Sequence, residues 1–172
     1  MVIQECEDPQ RASADSYSDF ASNALWIGHN KNKGLGVFAK PGIKIEKLAW
    51  ESNSLRYFLL VRINHTFDLV AVWACKPYIE AFYEYERHHH QNIDRNTVIL
   101  GDFNSNVVWD RLHGQRNHTT ATRLLQDASN PQNGTVFLSK RYGLRRSHLL
   151  APLHRLSWLH LTSGGGISQW RP

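Results

Sequence analysis

A chain of 172 residues with 41% hydrophobic content and six Trp can bury one substantial core, which excludes a disordered chain and leaves no room for two ordinary domains. Its net charge of +5 is unevenly spread: residues 1–127 hold all 15 acids against 14 Lys and Arg, whereas residues 128–172 hold six Lys and Arg and no acid. Basicity is therefore a property of the end of the chain, and it does not mark the whole domain as a nucleic-acid binder. No apolar run approaches the roughly 20 residues of a membrane span. The start, MVIQECEDPQ, is acidic within five residues and does not read as a signal peptide. Cys6 and Cys75 give neither a disulfide framework nor paired metal spacing. They read as reduced thiols, which places the protein in the cytoplasm.

In chain order, VIQE at 2–5 opens as a strand, and 8–19 reads as loop or short helix. ALWIG at 24–28 and LGVFA at 35–39 flank HNKNKG, whose Asn and Gly residues suit a hairpin turn. KIEKLAW at 44–50, RYFLLVRI at 56–63 and FDLVAVWA at 67–74 follow as strands. The last two are nearly continuously apolar, as strands covered on both faces are. The stretch PYIEAFYEYERHHHQNI predicts a helix with Pro77 near its start and Ile79, Phe82 and Tyr83 on its apolar stripe. TVILGDF is another buried strand, and TTATRLLQDA at 119–128 a further helix, with Asn117 or Thr119 as cap. Many strands with few helices imply an α+β fold of two packed sheets with helices outside. From about residue 130 neither a period of two nor of 3.6 survives.

The stretch VILGDFNSN, 98–106, carries the most chemistry. A period of two puts Asp102 and Asn104 on the same side of an extended chain. A carboxylate there can orient an attacking water or hold a hard cation, and a carboxamide beside it can donate to a phosphoryl oxygen without adding negative charge. A simple turn is the alternative, since Gly-Asp and Ser-Asn are common turn formers. VIQE is a second short apolar run ending in an acid, Glu5, so two strands of one sheet are expected to deliver two carboxylates to one edge.

The combination of VIQE with VILGDFN, together with ALWIGHNKNKGLGVFA, FDLVAVWA and the NHTT that follows VVWD, resembles the endonuclease/exonuclease/phosphatase superfamily over about residues 1–127. The resemblance implies a four-layer α/β/β/α sandwich of the deoxyribonuclease-I kind and a Mg²⁺-dependent phosphoester hydrolase, with Mn²⁺ as a substitute metal. By that resemblance Glu5 matches the metal-binding Glu, Asp102 the Asp that positions the attacking water, and Asn104 the Asn that contacts the scissile phosphate. Asn117 and His118 fall where relatives carry an Asn-His pair, which makes them a candidate phosphate contact, although a helix cap explains Asn117 as well. The substrate is a phosphoester, with nucleic acid and lipid head groups both open.

Two features depart from the family pattern. Its members begin with an Asn-bearing strand ahead of the Q-E strand, and end with an Asp and a Ser-Asp-His element. Residues 128–172 contain His148, His154 and His160 but no acid to support an imidazole. The chain is accordingly expected to be a partial domain, incomplete at both ends, with a basic tail over 128–172 that reads as out-of-frame sequence, an evolved phosphate-binding arm, or a divergent end. Activity is expected to be weak or absent. A catalytically dead module that binds phosphate or nucleic acid is the alternative. His88–His90 reads as a solvated helix end rather than a metal site, the HNKNKG turn as a solvated hairpin, and the Trp and Tyr of VWA, FYEY and VVWD mostly as core.

Overall fold

The computed structural model describes residues 1–52, 55–94, 96–128 and 136–139. The described elements run β1 Val2–Cys6, α1 Asp15–Phe20, β2 Ala24–Asn30, β3 Lys33–Phe38, β4 Ile45–Lys47, β5 Phe58–Ile63, β6 Phe67–Trp73, α2 Ile79–His89, β7 Thr97–Asp102, α3 Asp110–His113, α4 His118–Ala128 and β8 Val136–Ser139. They make an α+β fold with two sheets, one of three strands in the order β1-β3-β2 and one of five in the order β4-β5-β6-β7-β8. No helix among the described residues is long and apolar enough to cross a membrane.

The alternation of side chains along each strand explains the packing. Val2, Leu35 and Val37 on one face of the small sheet meet Leu59, Val61, Leu69, Ala71, Val98 and Leu100 of the large sheet in one buried cluster. The intervening residues, Phe58, Leu60, Val70, Val72 and Ile99, point to the opposite face, where Ile79, Phe82 and Tyr85 of α2 and Ala121 and Leu125 of α4 cover them. Strands β5, β6 and β7 are thus apolar on both faces for the reason their sequence suggests. Tyr17 and Ala21, within and just after α1, close over the outer face of the small sheet at Ile3, Cys6, Trp26 and Phe38.

Strands β6 and β7 run parallel, as do β7 and β8, whereas the other neighbours in the large sheet are antiparallel. The two parallel steps are bridged by α2 and α4, the connection that a parallel pair requires. Near the end of the first pair Gly101 lies opposite Val72, and a Cβ there would overlap the Val72 carbonyl oxygen. Only glycine lets β7 lie this close to β6 just before Asp102.

Three expectations are corrected. The strands ending in Glu5 and Asp102 do not share a sheet: β1 is an edge of the small sheet, and β7 lies inside the large one. The segment beyond about 130, which shows no period in the sequence and is expected to be irregular and without a sheet partner, contributes a strand: Val136–Ser139 pairs in parallel with residues 98–101 of β7. The strand expected over 44–50 stops at Lys47. Its continuation, Leu48 and Trp50, packs on the helix-side core instead. The remainder of the basic tail, with His148, His154 and His160, lies outside the described residues.

Glu86 of α2 is completely buried, and neither carboxylate oxygen has a hydrogen-bond partner among the described residues. Burial pushes its carboxyl from 4.5 up to about 9. Between those two pH values the unfolded chain has released a proton that the folded chain keeps. Stability therefore falls as pH rises above about 4.5, and the loss levels off above about 9. Glu86→Gln removes the ionisation at nearly constant shape. Thermal melts are expected to show little change at pH 5 and a stabilisation of up to a few kcal/mol at pH 8. Equal effects at both pH values would contradict the buried neutral acid.

Candidate active site

Glu5 is set by a β-bulge. Gln4 pairs with Leu35 and Cys6 with Gly34, so β1 spends one more residue than β3 over this step. The extra residue is Glu5, with a left-handed φ of 59°. Before the bulge Val2 faces the large sheet; after it Cys6 shares the outer face with Ile3. The bulge thus breaks the alternation at Glu5 and re-aims its side chain, as bulges near functional sites do. A non-glycine residue in this region costs on the order of 1 kcal/mol. The carboxylate is exposed, and its Oε2 lies 3.1 Å from Lys33 Nζ.

Asp102 closes β7 directly beside Trp73 of β6. Its carbonyl accepts from the Ala74 N–H at 2.8 Å, which carries the ladder to the last residue. Its Oδ1 accepts from the Asn104 N–H at 3.0 Å and so fixes the rotation of the carboxylate. Between the two, Phe103 drives into the helix-side core edge-on to Phe82, at 4.6 Å between ring centres. The buried ring explains the G-D-F-N order: it anchors the turn and leaves Asp102 and Asn104 at the sheet end. Asn104 takes a φ of 45°, a conformation Asn tolerates. Its Nδ2 donates to the Ala74 carbonyl at 3.0 Å. The structure shows the turn reading of this stretch: β7 ends at Asp102, and Asn104 lies in the turn rather than on the same side of an extended chain.

The Cys75 thiol feels charges from both sheets. Burial raises its thiol pKa; the Lys33 ammonium lowers it, Glu5 and Asp102 raise it, and Arg56 lowers it. Both carboxylates therefore lie within Coulombic range of one sulfur, although they come from different sheets. Lys33 adds a second link, since its ammonium stands 5.4 Å from the ring centre of Trp73, the residue beside Asp102. Lys33, Arg56 and Cys75 were not singled out as site residues from sequence. The hairpin does place Lys33 next to β1, but a lysine in a polar turn carries no signal of its own.

The Asn117-His118 pair divides. Asn117 caps α4: its Oδ1 accepts from the N–H and hydroxyl of Thr120 at 2.8 and 2.7 Å, and its Nδ2 donates to Gly114 at 2.6 Å. The cap explanation offered for Asn117 is the one the structure shows. The His118 ring sits with Nδ1 2.9 Å from Ser105 Oγ, next to Asn104. Asp110 accepts from the His118 N–H at 3.0 Å and from the Thr119 hydroxyl, tying the loop after Asn104 to the start of α4. The same loop is held to α2 by His113 Nδ1, 2.9 Å from Glu80 Oε1, an ion-pair distance without hydrogen-bond alignment.

Other expectations fare unevenly. Trp73 and Tyr85 are core residues, but Val107, Val108, Trp109 and Leu112 are exposed, because the segment turns through a short 3-10 helix capped by Asn106. Of the three consecutive histidines, His89 is buried and stacked on Trp50 at 4.9 Å, not solvated. Cys6 and Cys75 are free thiols. No three His, Cys, Asp or Glu side chains among the described residues form a metal cage. No protein-family model matches the chain, and no curated protein matches it.

Asn117→Ala separates the cap from a phosphate contact. The cap role entails a loss of about 0.5–2 kcal/mol in urea denaturation, with the affinity of the folded protein for inorganic phosphate unchanged. A fall in phosphate affinity without a loss of stability would reverse the assignment.

Proposed function

We propose that the chain is a Mg²⁺-dependent phosphoester hydrolase of the endonuclease/exonuclease/phosphatase type, on a four-layer α/β/β/α sandwich of the deoxyribonuclease-I kind. The observation that supports this reading is the chain of contacts from one sheet to the other: Lys33 Nζ lies 3.1 Å from Glu5 Oε2 and 5.4 Å from the ring centre of Trp73, the ladder partner of Asp102. The donor set fits the metal. Mg²⁺ prefers oxygen ligands, keeps several waters, and is commonly held by one or two carboxylates plus the substrate phosphate. A cage of three protein side chains is not required, and Lys33 already places a cation on Glu5 Oε2. When bound, the ion would neutralise phosphoryl charge and stabilise the leaving oxygen.

In this reading Asp102, its rotation fixed by Asn104, aligns a water for attack on phosphorus and accepts its proton. The new P–O bond forms as the ester P–O bond breaks, and the leaving oxygen takes a proton from solvent. By the resemblance Asn104 meets a phosphoryl oxygen, using the carboxamide hydrogen that its bond to the Ala74 carbonyl leaves over. His118, at Ser105, is the further candidate for that contact. The family's carboxylate-supported histidine has no sequence match in residues 128–172, which hold no acid. Removing one transition-state donor typically costs on the order of 10²–10³ in rate, so turnover is weak or absent.

The test pairs metal binding with hydrolysis. Mn²⁺ titrated into the protein is expected to bind in the millimolar range, and Glu5→Gln and Asp102→Ala are each expected to abolish that binding. EDTA-sensitive hydrolysis of bis-p-nitrophenyl phosphate should scarcely exceed that of Asp102→Ala prepared in parallel. Metal binding that survives both substitutions would contradict the assignment. Tight phosphodiester binding without metal would favour the binding module instead.

A further inference from the structure

The proposed site contains a cation of its own. Lys33 Nζ lies 3.1 Å from Glu5 Oε2 and 5.4 Å from the Trp73 ring centre, between the carboxylate that would hold the metal and the residue beside Asp102 in the ladder. The bulge makes this pairing possible, because Lys33 opens β3 just before Gly34, the partner of Cys6. Arg56 is a second cation whose charge reaches the Cys75 thiol together with those of Lys33, Glu5 and Asp102. A divalent cation at Glu5 would compete with the Lys33 ammonium for the same carboxylate.

Resting on the hydrolase reading, we propose that Lys33 is an exchangeable counter-ion: it holds Glu5 until a divalent cation binds there, then moves to a phosphoryl oxygen of the substrate. Both side chains of the pair are about half exposed or more, at 52% for Lys33 and 60% for Glu5. Exposed pairs of this kind are weak, so a divalent ion shared by two carboxylates displaces the ammonium at small cost. The released ammonium stays at the site, since the Trp73 face attracts it. A lysine suits the task because its compact charge rides on a flexible stem. Lys33 is thus a positioning residue toward the metal and a contact residue toward the phosphate.

The two roles make opposite demands, and Lys33→Met separates them. Removing a competing positive charge is expected to tighten Mn²⁺ binding about threefold, read by electron paramagnetic resonance on the protein alone. Inorganic phosphate, titrated in saturating Mg²⁺, is expected to bind roughly tenfold more weakly for want of a charge-assisted hydrogen bond. Lys33→Arg keeps the charge and should lie near the natural protein in both measurements. A purely structural lysine would leave both affinities unchanged or lower both. Mn²⁺ binding by Lys33→Met that is unchanged or weaker overturns the inference while leaving the hydrolase reading intact. Mn²⁺ binding by the natural protein that ignores Glu5→Gln overturns the metal site and the inference with it.

Discussion

Val2, Leu35 and Val37 press on Leu59, Val61, Leu69, Ala71, Val98 and Leu100 across the space between the two sheets. That contact fixes where β1 ends relative to β7, and the rest of the candidate site inherits the alignment. Glu5 is exposed and pairs with Lys33 of its own sheet, and Asp102 bonds to the turn that follows it. Where their two strands end relative to each other is set by apolar burial several residues away. A well-packed side chain of this kind contributes roughly 1.5–3 kcal/mol, more than an exposed ion pair such as Lys33–Glu5 supplies. The core sets the strands that carry the two carboxylates.

Much of the secondary structure is legible in the residues. Continuous apolar runs become strands buried on both faces, the Asn-rich turn becomes the β2–β3 hairpin, and the Ile79–Phe82 spacing becomes the inner face of α2. What the pattern cannot convey is partnership. VIQE and VILGD are alike as sequences, yet one forms an edge of the small sheet and the other lies within the large one. Alternation says which side of a strand is apolar, not which strand lies next to it. The bulge at Glu5 is equally silent, because no glycine marks its left-handed residue. Strand β8 escaped notice because it is four residues long, sits in a segment without periodicity, and pairs only after a crossover through α4.

The candidate site residues divide on the same physical line. Asp102 and Asn104 stood out because an apolar strand ends in an acid with a carboxamide two residues on, but the left-handed turn at Asn104, which takes it out of the strand, carries no mark in the sequence. Asn117 was legible as a cap for its place before a helix. Lys33, Cys75 and Arg56 were not, because each owes its position to long-range packing rather than to its neighbours in sequence. The exposed run Val107–Leu112 misleads in the opposite direction. It has core composition, but its turns are held from outside by Asn106, Asp110 and His113.

The central claim is that two sheets bring one acid each to a single cation. Mn²⁺ titration followed by amide NMR tests it most directly, because paramagnetic broadening reports proximity without requiring turnover. At low Mn²⁺ the account expects the amides of Glu5 and Cys6 in β1 and of Asp102 to Asn104 after β7 to broaden together, at one metal concentration. Broadening confined to one strand end, or centred on another part of the chain, would contradict it.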